Sequence, residues 1–330
     1  MKQPKPAVEI VATGRYLPEN VVTNDDLAKR VDTSDEWIRE RTGIRERRIA
    51  PDDMGAAEMG ARASRIAMER AGVEPGELDL IVLSTATPDR LLPSTACDMQ
   101  ALLGATNAAA MDISAACSGF IYALNLAEAQ IATGKAEIAL VVSTEKMSAI
   151  VDWGDRATCV LFGDGAGAAI LRKAQNGRGI VSSFMRSDGT LADLLYRPAG
   201  GATIPMDIAV LDERTHLVKM AGREVFKAAV RSMAEASDQA LLRAGLTGAD
   251  IDLFVPHQAN MRIIESTARY AGVPMEKVFV NVDRYGNMSS ATIPVALDEA
   301  VEQGRIKEGD HVMMVAFGAG FTWASSIVRW

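Results

Sequence analysis

One stretch of this chain occurs twice, and the repetition constrains the fold more than any composition figure. Ala67-Met-Glu-Arg-Ala-Gly-Val-Glu-Pro-Gly-Glu-Leu-Asp-Leu-Ile-Val-Leu83 lies over Ala240-Leu-Leu-Arg-Ala-Gly-Leu-Thr-Gly-Ala-Asp-Ile-Asp-Leu-Phe-Val-Pro256. The pairs at Ala67, Arg70, Ala71, Gly72, Asp79, Leu80 and Val82 are identical. Both copies read as a helix, a glycine stop, a loop and a strand. The same offset puts Ile138–Val142 over His311–Val315, Ala123-Leu124 over Ala296-Leu297, and Cys117 over Ser290. A period this long means duplicated domains, because solenoid repeats are far shorter. The 330 residues then divide into halves of ordinary domain size, 1–175 and 176–330, with a seam near 172–185.

Within each half, helical windows (Ala56–Ala71, Phe120–Thr133, Val225–Arg243) alternate with short β-branched runs. That rhythm predicts an α/β protein with buried sheets. The most apolar stretch, around 108–127, carries Asp112, Ser114, Ser118 and Asn125. It reads as a buried helix and not a membrane span. The segment Arg197–Pro205 reads as a loop. Lys plus Arg is 35 against 43 Asp plus Glu, a net charge of -8, which speaks against a general nucleic-acid binder. Met1–Ile10 has no apolar core of a secretory signal. The three cysteines, Cys97, Cys117 and Cys159, are too few and scattered for a disulfide framework or a zinc cluster. A cytoplasmic protein with reduced thiols is expected.

Cys117, in Ala-Ala-Cys-Ser-Gly-Phe, opens a nearly uncharged helix in which Glu128 is the one carboxylate before Gly134. A helix start favours a thiolate, so its pKa is expected to fall. Gly119 and the small neighbours suggest room for a ligand. The bland alternative is a small buried core cysteine. Cys97 and Cys159 read as structural. Of the histidines, His216 reads as solvated and His311 as lying at a sheet edge. His257 ends an apolar strand, where open α/β sheets place reactive groups. Asn287 precedes the repeat-equivalent helix; its alternative is a turn residue after Gly286. Cys, His and Asn gathered by a duplicated fold suit thioester chemistry: a nucleophile and two hydrogen-bond donors for an oxyanion. The glycine clusters Phe162–Gly167 and Phe317–Gly320 lack phosphate-loop spacing and read as tight loops beside a ligand.

In this order and spacing, several motifs resemble the 3-oxoacyl-acyl-carrier-protein synthase III family of the thiolase superfamily. They are Asp35-Glu-Trp-Ile-Arg-Glu-Arg-Thr-Gly-Ile44, the Cys117 segment, Phe162-Gly-Asp-Gly-Ala-Gly-Ala168, Pro256-His-Gln-Ala-Asn260, Tyr285-Gly-Asn-Met-Ser-Ser290 and Gly320-Phe-Thr-Trp323. The resemblance implies a thiolase-like five-layered αβαβα fold, a homodimer, and no metal or redox cofactor. It implies a decarboxylative Claisen condensation of an acyl-CoA with malonyl-acyl carrier protein, initiating fatty acid synthesis. It makes Cys117 the acylated nucleophile, His257 and Asn287 the enolate donors, and the N–H groups of Cys117 and Ala319 the oxyanion hole. Trp37, Arg41, Arg156 and Asn260 match coenzyme A contacts, and Lys227, Arg262 and Arg269 match contacts to the carrier protein. Two positions depart from the family. Ala319 replaces a glycine, which costs roughly 1–2 kcal/mol if φ there is positive. Leu92 replaces a bulky aromatic on a segment that reaches the acyl pocket across the dimer, so a primer longer than acetyl is expected. A secondary-metabolic acyltransferase with another acceptor shares almost every motif. A papain-type hydrolase has the same three residue types but not the duplication.

Overall fold

The computed structural model describes residues 6–330; the first half of the segment read for a secretory signal, 1–5, lies outside it. Nine strands form the two main sheets: β1 (Val8–Tyr16), β2 (Leu80–Ser84), β3 (Ala109–Ile113), β4 (Ile138–Lys146), β5 (Asp164–Lys173), β6 (Gly179–Ser187), β7 (Leu253–Pro256), β8 (His311–Gly318) and β9 (Thr322–Arg329). The main helices are α1 (Asp35–Thr42), α2 (Ala56–Ala71), α3 (Thr95–Leu103), α4 (Gly119–Ala132), α5 (Gly222–Ala244), α6 (Met261–Ala271) and α7 (Thr292–Glu302).

The first sheet runs β1-β5-β4-β2-β3 and the second β6-β9-β8-β7. The pairing pattern is the same in both. An antiparallel outer pair leads to an antiparallel and then a parallel neighbour. Only the fifth position differs. β3 pairs along its length with β2, whereas its counterpart is a single bridge between Phe254 and Val278.

Helices α4 and α7 lie between the sheets, α2 and α3 cover one outer face, and α5 and α6 cover the other. This is the thiolase-like αβαβα stack. A helix between two sheets has little solvent face, which explains why α4 carries one charged side chain and why the buried Asp298 and Glu299 of α7 are paired with Arg70 and Arg284. Phe120, Ile121, Leu124, Ile293, Ala296 and Leu297 join both sheets in the central core. Leu124→Ala would open a cavity there, at about 2–5 kcal/mol.

The identical repeat residues have identical structural tasks. Gly72 and Gly245 end α2 and α5 in the left-handed region, at φ 64° and 66°. Asp79 accepts from Ile138 N at 3.0 Å, and Asp252 from His311 N at 2.9 Å, so each pins the start of the next parallel strand. Arg70 donates to the Thr13 carbonyl of β1, and Arg243 to the Ser183 carbonyl of β6. Between the halves, Arg15, Arg70 and Thr13 all bind the buried Asp298 carboxylate of α7.

Several sequence expectations need correction. The stretch 108–127 is not one helix; β3 and a turn precede α4, because an edge strand with alternating exposure fits there. β8 is internal to its sheet, so His311 sits at a strand end and not at an edge. Cys97 is exposed and holds no core position, whereas Cys159 is buried as expected. His216 is half-buried, with Nδ1 3.3 Å from the Val210 carbonyl. The glycines at 163, 165 and 167 face the second half and not an open ligand space. A Cβ there would meet Tyr285 O, Met288 Sδ and Pro294 Cβ at 2.6, 2.6 and 2.7 Å.

Candidate active site

Cys117 lies in a tight turn, Ala116–Ser118, directly before α4. Ala116 has φ 44°, a left-handed conformation that costs a non-glycine residue roughly 1–2 kcal/mol. Two bonds to the start of β9 hold it. Ser118 Oγ donates to the Thr322 carbonyl at 3.0 Å, and Thr322 Oγ1 to the Ala115 carbonyl at 2.8 Å. Gly318 approaches so closely that a Cβ would lie 2.5 Å from Cys117 N. That brings the Gly318-Ala319 backbone beside the Cys117 amide. The positive φ of this segment belongs to Gly320, at 135°, and not to Ala319. Ala319 therefore carries no glycine-only strain. Gly119 is required for packing: a Cβ there would fall 1.7 Å from Ser84 Oγ.

The thiol pKa does not fall as the helix start suggested. Burial pushes it up to about 12, aided by the charge of Glu145 and opposed by the Ser289 hydroxyl, 3.5 Å from Sγ. Desolvation outweighs the helix-terminus field because the residue is buried. Burial likewise lowers His257 to about 3. The pair is thus a neutral thiol and a neutral imidazole.

His257 continues the β7 ladder, its N–H donating to the Val315 carbonyl at 2.8 Å. Its Nδ1 is 2.6 Å from Thr292 Oγ1. Asn287 is held by its N–H on the Leu161 carbonyl and its own carbonyl on Gly163 N. Its Oδ1 accepts from Ser289 N at 2.8 Å, which leaves the amide NH2 as its free end. Cys117, His257 and Asn287 all line one cavity of about 130 Å³, with Phe226, Met233 and Phe317. Cys117 also borders a second, mostly apolar cavity of about 430 Å³, walled by Met147, Ile150, Phe162, Leu195, Val218 and Ala319.

Trp37, on α1, stands with the guanidinium carbons of Arg41 and Arg156 at 4.4 and 4.8 Å from its ring centre, a cation–π arrangement. Arg156 also donates to the Asp32 carbonyl. Asn260 caps α6 through Arg262 N and donates to the Arg41 carbonyl at 2.9 Å, so its amide joins the two regions and borders the first cavity. Lys227, Arg262 and Arg269 are exposed on α5 and α6, away from the cavity floor. Leu92 is 87% exposed and lines neither cavity of its own chain, because its loop stands out before α3.

The same order of motifs on the same fold recurs in known proteins. A family model described as 3-oxoacyl-[acyl-carrier-protein (ACP)] synthase III matches residues 111–189, and a model of its C-terminal part matches 241–330. The beta-ketoacyl-[acyl-carrier-protein] synthase III of Caldanaerobacter subterraneus subsp. tengcongensis is 50% identical over 326 residues, covering 99% of this chain and 98% of that protein. That of Symbiobacterium thermophilum is 53% identical over 323 residues, covering 98% of each. The chain belongs to the 3-oxoacyl-acyl-carrier-protein synthase III family. The crystal structure of the Aquifex aeolicus VF5 family member superposes with a TM-score of 0.91 at 48% identity, covering 98% of this chain and 100% of that one. The chain is accordingly an enzyme of the acyltransferase type.

In this family member, sequence reading passed over the side chains that hold the candidate trio. Ser289 and Thr292 lie in the turn before α7 and at its first residue, and only packing brings them to Cys117 and His257. Glu145, wholly buried, accepts from Ser290 Oγ at 2.6 Å, Ala86 N at 2.9 Å and Thr87 Oγ1 at 3.0 Å, and burial raises its pKa. One signal was available: a carboxylate inside a mostly apolar strand, Ile138–Lys146, needs buried partners.

Proposed function

We propose that the protein condenses an acyl-CoA primer with malonyl-acyl carrier protein to give a 3-oxoacyl-acyl carrier protein, the opening step of fatty acid synthesis. The observation that carries this reading is the single cavity shared by Cys117, His257 and Asn287. The Cys117 sulfur attacks the acyl-CoA carbonyl. Its proton leaves with coenzyme A, and an acyl thioester remains on the enzyme. The malonyl thioester then places its oxygen between His257 and the Asn287 amide. Carbon dioxide departs as these donors stabilise the enolate. The enolate carbon attacks the Cys117 acyl carbon, whose oxyanion is received by the N–H groups of Cys117 and Ala319. Collapse breaks the C–S bond, and the departing thiolate takes a proton from water to restore the thiol. This sequence needs no metal or redox group.

The 430 Å³ apolar cavity beside Cys117 suits the primer chain, and the 130 Å³ cavity bordered by Asn260 suits the pantetheine arm. Trp37, Arg41 and Arg156 suit the adenine and phosphates of coenzyme A, and Lys227, Arg262 and Arg269 an acidic carrier. We place the two halves at 1–175 and 176–330, and the protein in the cytoplasm. A homodimer is supported by the open outer edge of β3, together with Leu91, Leu92, Leu102 and Met111 exposed around it. In such a dimer Leu92 caps the partner's acyl pocket.

The test is intact-protein mass spectrometry after exposure to acetyl-, butyryl-, isobutyryl- and octanoyl-CoA, then to malonyl-carrier protein. The acyl mass should appear, then vanish as 3-oxoacyl-carrier protein forms. Leu92→Phe should narrow the range of primers accepted. Discharge of the acyl group to an alcohol or amine, with malonyl-carrier protein inert, would assign a different acceptor.

A further inference from the structure

The Thr292 hydroxyl has one proton and two acceptors within reach. His257 Nδ1 lies at 2.6 Å and the Ser289 carbonyl at 3.1 Å. The carbonyl also accepts the backbone N–H of Thr292, so it has a partner without the hydroxyl. An imidazole nitrogen is also the nearer acceptor and the more basic one, so the hydroxyl proton goes to Nδ1. Thr292 and His257 are both buried, and burial keeps the ring neutral at ordinary pH. A neutral imidazole has one N–H, and if Nδ1 accepts, that N–H is on Nε2.

We infer that Thr292 is a positioning residue that holds His257 as its Nε2–H tautomer, the form able to donate to the substrate thioester oxygen. The inference rests on the role proposed above for His257. In the other tautomer Nε2 would present a lone pair to the enolate oxygen and repel it. Thr292 keeps its proton throughout, so no covalent bond changes. The same turn also orients the second donor, because Ser289 N fixes the Asn287 amide. A single turn, 287–292, therefore aims both groups.

The chain has three histidines, so ¹⁵N-histidine labelling, assigned with a His257→Ala control, reads the tautomer directly. Wild type should show a protonated Nε2 and a hydrogen-bonded, unprotonated Nδ1. In Thr292→Val, matched in shape, the Nδ1 resonance should move. Malonyl-carrier decarboxylation should slow about tenfold or more, short of the ~10²–10³-fold of losing a donor outright. Self-acylation from acyl-CoA should stay within about twofold, and Thr292→Ser should restore both readouts. A wild-type Nδ1–H tautomer would overturn the proposal, as would equal losses in both half-reactions of Thr292→Val, or no loss at all. A wild-type enzyme that acylates but never decarboxylates malonyl-carrier protein would remove the functional reading instead, with the tautomer still measured on its own.

Discussion

The turns Ala116–Ser118 and Ser289–Ala291 have nearly one backbone and opposite chemistry. Each is a short 3-10 turn leading directly into a central helix. Each opens on a non-glycine residue in the left-handed region, Ala116 at φ 44° and Ser289 at 47°, at the repeat offset. In the first turn the middle residue, Cys117, borders two cavities. In the second it is Ser290, wholly buried, with its hydroxyl spent on Glu145. Nearby, Asn287 belongs to the trio itself, and Ser289 and Thr292 contact Cys117 and His257. The fold thus holds two copies of one elbow. The first carries the proposed nucleophile, and the second frames the proposed donors.

The strongest way to break this comparison is to move the nucleophile. Cys117→Ala should abolish self-acylation with the fold intact, and adding Ser290→Cys should not bring it back. Ser290 of the second elbow points into Glu145 and lines neither cavity. Intact-mass detection of an acyl group on the double variant would show that the two turns are interchangeable.

Next in size is the contact that shapes the first elbow. Gly318→Ala forces a Cβ against the Cys117 backbone N, where no flexible side chain can yield. A loss of about 1–3 kcal/mol is expected, with self-acylation falling alongside. Ala319→Gly, one residue on, should cost under about 1 kcal/mol, an entropic effect. Thermal melts with acylation rates compare the pair; equal losses would return the strain to Ala319.

Helices α3 and α6 differ in sign as well: α3 carries Asp98 alone, and α6 carries Arg262 and Arg269 against Glu265. Arg262 and Arg269 have Asp89 and Ala96 as their counterparts 173 residues earlier. Asp89 is committed to capping α2 at Ala56 and Ala57, so the first half offers no matching basic face there. Arg262→Glu with Arg269→Glu should raise KM for malonyl-carrier protein roughly tenfold at low salt and leave acyl-CoA kinetics unchanged. Salt-independent carrier binding would contradict this.

The smallest effect separates the central helices. Glu128 of α4 lies opposite Val301 of α7 in the repeat, and burial raises its pKa to about 7. A raised carboxyl destabilises the fold once the unfolded chain ionises, from about pH 4.5. The penalty grows to about pH 7 and is constant above. Glu128→Gln should therefore gain about 1–2 kcal/mol at pH 8, discounted for partial exposure, and nothing below pH 4. Denaturant melts at both pH values check it; a gain independent of pH would place its cause elsewhere.

Much of this was legible in the chain, and for a physical reason. Gly72 with Gly245, Asp79 with Asp252 and Arg70 with Arg243 act on groups close in the local supersecondary unit, so both copies kept them. Periodicity gave α2 to the residue, and the repeat offset put Cys117 and Ser290 at equivalent helix starts. The motifs then named His257 and Asn287. The sequence could not show that 108–127 breaks into a strand and a helix, because apolar content is equal in both and only the sheet edge separates them.

What the amino-acid order determined by itself was the duplication, the αβ alternation and the three candidate reactive groups, all set by local pattern and spacing. What only the tertiary structure decided were quantities that depend on neighbours distant in the chain. The thiol pKa rose because enclosure from both halves outweighed a local helix field. Ala319 proved unstrained because the sharp turn fell on Gly320. Glu145, Ser289 and Thr292 acquired their partners 145, 172 and 35 residues away, through a packing between sheets that no local window contains.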